Sequence, residues 1–195
     1  MPHVRRKVEA RCPMHVTLRM RPHVWQLRSR RCFQILERAF YQGCERFGGR
    51  VCHFSVQHNH VHLVVEAADP VALARAIQGL CIRMAKGLNG LMERNGPVFA
   101  DRYHARVLRT PTETRRVLVY VLANGRKHLP KVGHRLPSGW SDPYSSAAWF
   151  DGWSVPTPLP YGPGPVAAPG TWLLGTGYRR AGGLLRPDET PAAPH

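Results

Sequence analysis

Three histidines stand in one short run, His58-Asn59-His60-Val61-His62, and the apolar stretch Leu63-Val64-Val65 follows directly. Side chains alternate across an extended strand, so His60 and His62 share a face at about 6–7 Å between Cα atoms. His58 and Glu66 fall in phase with them if the strand runs straight. Two neutral imidazoles at that spacing can converge on one divalent cation. An isolated pair is a weak signal, because strand histidines more often sit at the surface or hydrogen-bond locally. The apolar run strengthens it by making the strand a central one. Counting His58 opens a second possibility, a three-histidine site whose donors favour zinc.

A second group lies further along. Tyr120 and Asn124 are four residues apart and stack on one face of a helix, with Arg116 and Lys127 extending the line. Val117, Leu118, Val121 and Leu122 form an apolar stripe beside them. A phenol has a pKa near 10 and attacks as a nucleophile only when a base or cation favours the phenolate. Taken alone, Tyr120 reads first as a packing residue at the edge of that stripe.

These residues need elements to hold them. Met14 to Met20 alternates, with His15, Thr17 and Arg19 opposite Val16, Leu18 and Met20, which predicts a half-buried strand. Phe33, Leu36, Phe40, Cys44 and Phe47 recur at helical spacing until Gly48-Gly49. Residues 50–57 and 59–66 read as two strands. Asp69 is a natural N-cap and Pro70 suits the first helical position. Leu73, Ile77, Leu80, Met84, Leu88 and Leu91 make the stripe of that helix, and Asn95-Gly96-Pro97 closes it. Residues 103–109 predict a fourth strand. Thr110-Pro111-Thr112-Glu113 is a capping box opening a third helix that must end before Pro130. The order strand-helix-strand-strand-helix-strand predicts an α+β, ferredoxin-like antiparallel sheet (βαββαβ) with two helices on one face and an additional helix carrying Tyr120. The opposite sheet face, where His15, Thr17 and Arg19 can point, is expected to be left free for a ligand.

The charge narrows the partner. The 195 residues carry 28 Lys+Arg against 12 Asp+Glu, a formal net charge of +16. Residues 1–130 hold 23 of the basic and 8 of the acidic residues, so nearly all the excess lies there. A compact basic domain implies a polyanion, with nucleic acid first, and the preference for Arg suits bidentate phosphate contacts. Residues 131–195 contain 10 Gly and 11 Pro, a density that predicts a loosely structured, partly disordered extension in place of a second domain. Within it, Trp140 to Trp153 is aromatic enough to dock. The five scattered cysteines include no CxxC pair and read as reduced core residues. With no signal peptide and no membrane-spanning stretch, a cytoplasmic protein without membrane contact is expected.

The conjunction of strand His-x-His, helical Tyr-x-x-x-Asn and basic domain resembles the IS200-like tyrosine transposases, in particular their REP-associated branch. The stretches that carry the resemblance are His15-Val16-Thr17-Leu18-Arg19, Val56 to Leu63, Val98-Phe99-Ala100-Asp101-Arg102-Tyr103 and Tyr120-Val121-Leu122-Ala123-Asn124. Together they span roughly residues 10 to 130. The resemblance implies Mg²⁺ or Mn²⁺ held by His60, His62 and Asn124, with Tyr120 attacking a DNA phosphodiester to leave a 5′-phosphotyrosine and a free 3′-OH. It also implies single-stranded or hairpin DNA as partner and allows a homodimer. Arg19, Arg102, Arg106, Arg116 and Lys127 are the candidate DNA contacts. Two other readings remain open at this stage: a nucleic-acid-binding module without catalysis, and a metal-dependent hydrolase using Glu66, the one carboxylate in phase with the histidine pair.

Overall fold

The computed structural model describes residues 8–125, 140–155 and 159–190. Five strands form one antiparallel sheet in the order β2-β3-β4-β1-β5. They are β1 (Met14–Arg19), β2 (Glu45–Arg46), β3 (Gly49–Val56), β4 (His60–Ala67) and β5 (His104–Val107), with helices α1 (Arg30–Gly43), α2 (Pro70–Leu91) and α3 (Pro111–Leu122). Because β4 pairs antiparallel with both β1 and β3, those two run parallel with β4 between them; β4 and β5 likewise flank β1. This is the split βαβ, ferredoxin-like arrangement expected from periodicity.

The local rules explain the element ends. The Ser29 hydroxyl accepts from the Cys32 amide at the start of α1, and the Asp69 carboxylate accepts from Val71 and Ala72 at the start of α2. The capping box of α3 forms as spaced, Thr110 and Glu113 each satisfying the other's amide. One helix is shorter than its apolar spacing predicts. α1 stops at Gly43 because Phe47 and Gly48 adopt positive φ (56° and 75°), folding residues 45–46 back onto 49–50 as a tight ribbon. The turn leaves Phe47 exposed instead of on the helix stripe.

The two faces of the sheet differ. On one, Val16, Leu18, Phe54, Val61, Leu63 and Val65 pack against Leu36 and Phe40 of α1 and Leu73, Ile77, Leu80 and Met84 of α2. The opposite face is not left free as expected. Val64 and Cys52 there meet Val117, Leu118, Val121 and Leu122 of α3, joined by Ala147, Phe150, Trp153, Leu174, Tyr178 and Leu185. The apolar stripe of α3 needs cover, and the sheet supplies one side of it and the chain beyond residue 140 the other.

Far from loose, the described part of that extension is built into the molecule. Tyr144 O accepts from Val56 N at 2.8 Å, Ser146 Oγ accepts from Phe54 N at 2.9 Å, and Ala167 N donates to Val51 O at 2.9 Å. These bonds occupy backbone groups of β3, the strand that β2 pairs over only two residues. A bidentate pair between Arg28 and the buried Asp142 and another between Arg115 and Glu189 tie it to the stretch before α1 and to α3.

Candidate active site

Register places the polar side chains. Across β4 and β1, His62 lies opposite Thr17, His60 opposite Arg19 and Val64 opposite His15. Across β1 and β5, His15 faces Arg106 and Thr17 faces His104. On the β3 side His62 faces Ser55. Directly opposed residues point to the same side of a sheet. One row therefore reads Ser55, His62, Thr17, His104, and the row beside it His53, Val64, His15, Arg106. All of them lie on the face that α3 partly covers.

His62 is the centre of a compact cluster. It is 5 % exposed. Its Nδ1 is 3.1 Å from His15 Nε2 and 3.3 Å from Thr17 Oγ1, while its Nε2 is 3.2 Å from the Tyr120 hydroxyl. With both neighbours of Nδ1 on one side, the ring nitrogen turned to Tyr120 is Nε2. His60 stands beside it, ring centroids 4.7 Å apart and nearly perpendicular. His60 Nδ1 meets Asn59 Oδ1 at 2.9 Å, a contact in which the ring nitrogen donates to the amide oxygen. Burial, reinforced by His15 and His60, pushes His62 down to about 3; burial with Arg106 and His104 pushes His15 down to about 4. Both rings are therefore neutral at physiological pH, the state a metal ligand requires.

α3 brings the other half. Tyr120 is half-buried, its ring edge-on to His62 at 4.9 Å. Burial raises its pKa, and a hydrogen bond with the Asn124 side chain acts against that rise. Asn124 is 2 % exposed, and its Oδ1 has no partner among the described residues. A buried, unbonded carbonyl oxygen costs about 1–3 kcal/mol, and an amide oxygen together with imidazole nitrogens is a donor set that fits a divalent cation. The whole cluster is assembled within one chain.

Several expected partners are placed differently. His58 sits exposed in the turn before β4, so it is out of phase with His60 and His62, and among the described residues no three His, Cys, Asp or Glu side chains group to hold a metal. A turn is needed there because β3 and β4 form a hairpin closed by Gln57 N donating to His60 O at 2.8 Å. Glu66 is in phase but committed elsewhere: its carboxylate accepts from Gly170 N (2.7 Å), Thr171 N (2.9 Å) and Thr171 Oγ1 (2.7 Å). That removes the general base on which the hydrolase reading depended. Arg19 and Arg106 lie on the site face by register, Arg116 is exposed one turn before Tyr120, and Arg102 is exposed in the turn preceding β5. Lys127 lies outside the described residues. His15 and Thr17, the partners that hold His62, were visible in the sequence as the polar side of β1. Their pairing with a residue more than 40 positions away was not.

A split βαβ sheet bearing imidazoles and arginines on one face, under a helix that brings in a phenol, defines an α+β protein of the ferredoxin-like class. Residues 9–123, more than half of the chain, match the family model described as transposase IS200 like, and the chain belongs to that family. No curated protein matches it. Among solved structures it is similar to one titled as a REP-associated tyrosine transposase bound to a REP hairpin, with TM-score 0.55 and 17% identity over 75% of this chain and 82% of that one. It also matches a putative transposase from Deinococcus radiodurans R1, at TM-score 0.43 and 14% identity over 62% of this chain and 95% of that one. At 17% identity the likeness to the first is one of fold. Among the described residues no helix is long and apolar enough to cross a membrane.

Proposed function

We propose that this transposase nicks and rejoins single-stranded DNA in a metal-dependent reaction, with Tyr120 as nucleophile and His60, His62 and Asn124 as metal ligands. The observation that carries the reading is the meeting of Tyr120 with His62 Nε2 at 3.2 Å beside the unpartnered Asn124 Oδ1. His62 comes from β4, Tyr120 from the last turn of α3 and Asn124 from just beyond that helix. The hairpin form of the substrate is suggested by the structural relative, which holds a REP hairpin.

Tyr120 Oη forms a bond to the scissile phosphorus while the bond to the 3′ oxygen breaks. The phenol proton is lost, and the leaving 3′ oxygen gains one to become a hydroxyl. The product is a 5′-phosphotyrosine, and attack by a 3′-OH reverses the step and joins strands without a nucleotide cofactor. A divalent ion, Mg²⁺ or Mn²⁺, would supply positive charge that favours the phenolate and offsets charge on the phosphate. His15 and Thr17 hold His62 in one orientation, the outer support that ligating histidines need. The Asn124 hydrogen bond orients the phenol and eases its ionisation. Arg116, one turn before Tyr120, and Arg19, opposite His60, are the residues we assign to backbone phosphates.

The test is covalent capture. End-labelled hairpin DNA with a single-stranded flank, incubated with the protein and Mn²⁺, is expected to give a DNA–protein adduct that survives denaturation. Tyr120→Phe should give none. No adduct with the unaltered protein sinks the proposal, and an adduct retained in Tyr120→Phe moves the nucleophile elsewhere.

A further inference from the structure

One aromatic side chain is displayed where the core could have taken it. Trp25 is 46 % exposed, although tryptophan is on average among the more buried residues. It does not hang on a loose segment. In the stretch joining β1 to α1, Arg21 N donates to Val98 O at 2.9 Å, Val24 N to Arg21 O at 3.0 Å and Leu27 N to His58 O at 3.0 Å, and the Leu27 side chain is fully buried. The ring is thus held out on a backbone anchored on both sides of it. Arg31 places its guanidinium carbon 5.6 Å from the indole centroid, and Arg21, His23 and Arg30 are exposed around it.

Position ties this patch to the site. The connecting stretch starts directly after Arg19, the cross-strand partner of His60, and Met20 N donates to Asn59 O at 2.8 Å. Trp25 lies two positions from Leu27, and His58 two positions from His60. Chain reach therefore limits the Trp25–His60 Cα distance to roughly 20 Å, a span of a few nucleotides. A second exposed Trp–Arg pair, Trp172 with Arg180 at 5.0 Å, differs in place: its helix follows Thr171, which binds Glu66 near the other end of β4.

We infer that Trp25, with Arg31 beside it, is a stacking platform for an unpaired base in the single strand flanking the nicked phosphate. The inference rests on the single-strand reading above. An aromatic face backed by a guanidinium is the chemistry that holds successive bases of single strands without reading their sequence. Inside a duplex each base is stacked on both faces by its neighbours, so the platform favours the single-stranded flank and seats it as it leaves the His60 end of the sheet.

Affinity measured by fluorescence anisotropy, without metal, tests this on two DNAs: a hairpin with a single-stranded flank and the same hairpin trimmed flush. Trp25→Ala should weaken binding of the flanked DNA about tenfold and leave the flush hairpin unchanged. Trp25→Phe should recover most of the loss, and Trp172→Ala should behave as the unaltered protein. Equal affinity of Trp25→Ala and unaltered protein for the flanked DNA overturns the inference, as does an equal loss on both DNAs or an equal loss in Trp172→Ala. The adduct assay keeps the two readings apart. If no adduct forms but the Trp25-dependent preference persists, nicking falls and the platform stands. If adducts form and Trp25→Ala binds normally, the platform alone falls.

Discussion

Asn124 carries a cost that packing does not explain. Its carboxamide is buried against the tyrosine it orients, with Oδ1 unbonded among the described residues. Asn124→Leu, which removes both polar atoms at similar volume, is expected to raise the stability measured by urea unfolding by about 1 kcal/mol. The same change should abolish adduct formation. If stability falls instead, the oxygen already has a partner in solution. A direct readout of the ligand set is the melting temperature in millimolar Mn²⁺. The unaltered protein should melt higher with the ion than without it, and His60→Ala and Asn124→Ala should each lose that rise. The neutral state of His62 and His15 at physiological pH comes from burial, so neither needs to shed a proton before an ion binds.

At the scale of elements, the position of α3 on the sheet decides whether Tyr120 reaches His62. The end of that helix is pinned by a close approach: a Cβ on Gly125 would lie 2.5 Å from Asp142 Oδ2, and Asp142 is the buried partner of Arg28. Gly125→Ala must therefore displace either the Arg28–Asp142 pair or the residue next to Asn124. It should lower stability by about 1–3 kcal/mol and reduce adduct formation more than its melting temperature accounts for. The bulge in β3 between Val51 and His53 makes a second pinned element, turning both Cys52 and His53 toward α3 and the extension. His53 is buried edge-on to Phe150 at 5.4 Å, with neither ring nitrogen bonded among the described residues. Burial pushes it down to about 4 from an ordinary 6.5. Because the unfolded chain takes the proton first, stability from this group is complete above about pH 6.5 and is lost as pH falls toward 4, by up to about 3 kcal/mol. His15 and His62 act in the same direction. Comparing unaltered protein with His53→Leu isolates the His53 share: the variant's stability should fall less steeply between pH 6.5 and 4.

For the whole molecule the dominant quantity is charge. Nearly all of the +16 excess belongs to residues 1–130, and the site face of the sheet displays Arg19 and Arg106 beside the histidines. Neutralising several phosphates releases their counterions, so the log of the DNA-binding constant should fall linearly with log salt with a slope of several units. Arg19→Ala and Arg106→Ala are each expected to reduce that slope by about 1 while weakening binding to unrelated sequences alike. An unchanged slope in either variant removes that residue from the phosphate contacts. The extension acts at this scale too, because the Arg115–Glu189 and Glu66–Thr171 bonds join it to α3 and to the sheet.

Much of this protein was legible residue by residue. Alternation along 14–20, the Asp69-Pro70 start and the Thr110–Glu113 capping box depend on neighbours within a few positions, and the structure bears them out. The order of elements likewise pointed to the observed sheet arrangement. The facing of His60 with His62 followed from the strand period alone, whereas α3 ends at Leu122, before Asn124. What tertiary structure decided were the long-range contacts: His62 against His15 and Thr17, Tyr120 against His62, and Glu66 given to Thr171 instead of to chemistry. It also decided that a Gly- and Pro-rich stretch packs over α3, because sparse apolar residues such as Phe150, Trp153, Tyr178 and Leu185 converge only in space. Periodicity reports which way a side chain points. Only the packed chain reports what it meets there.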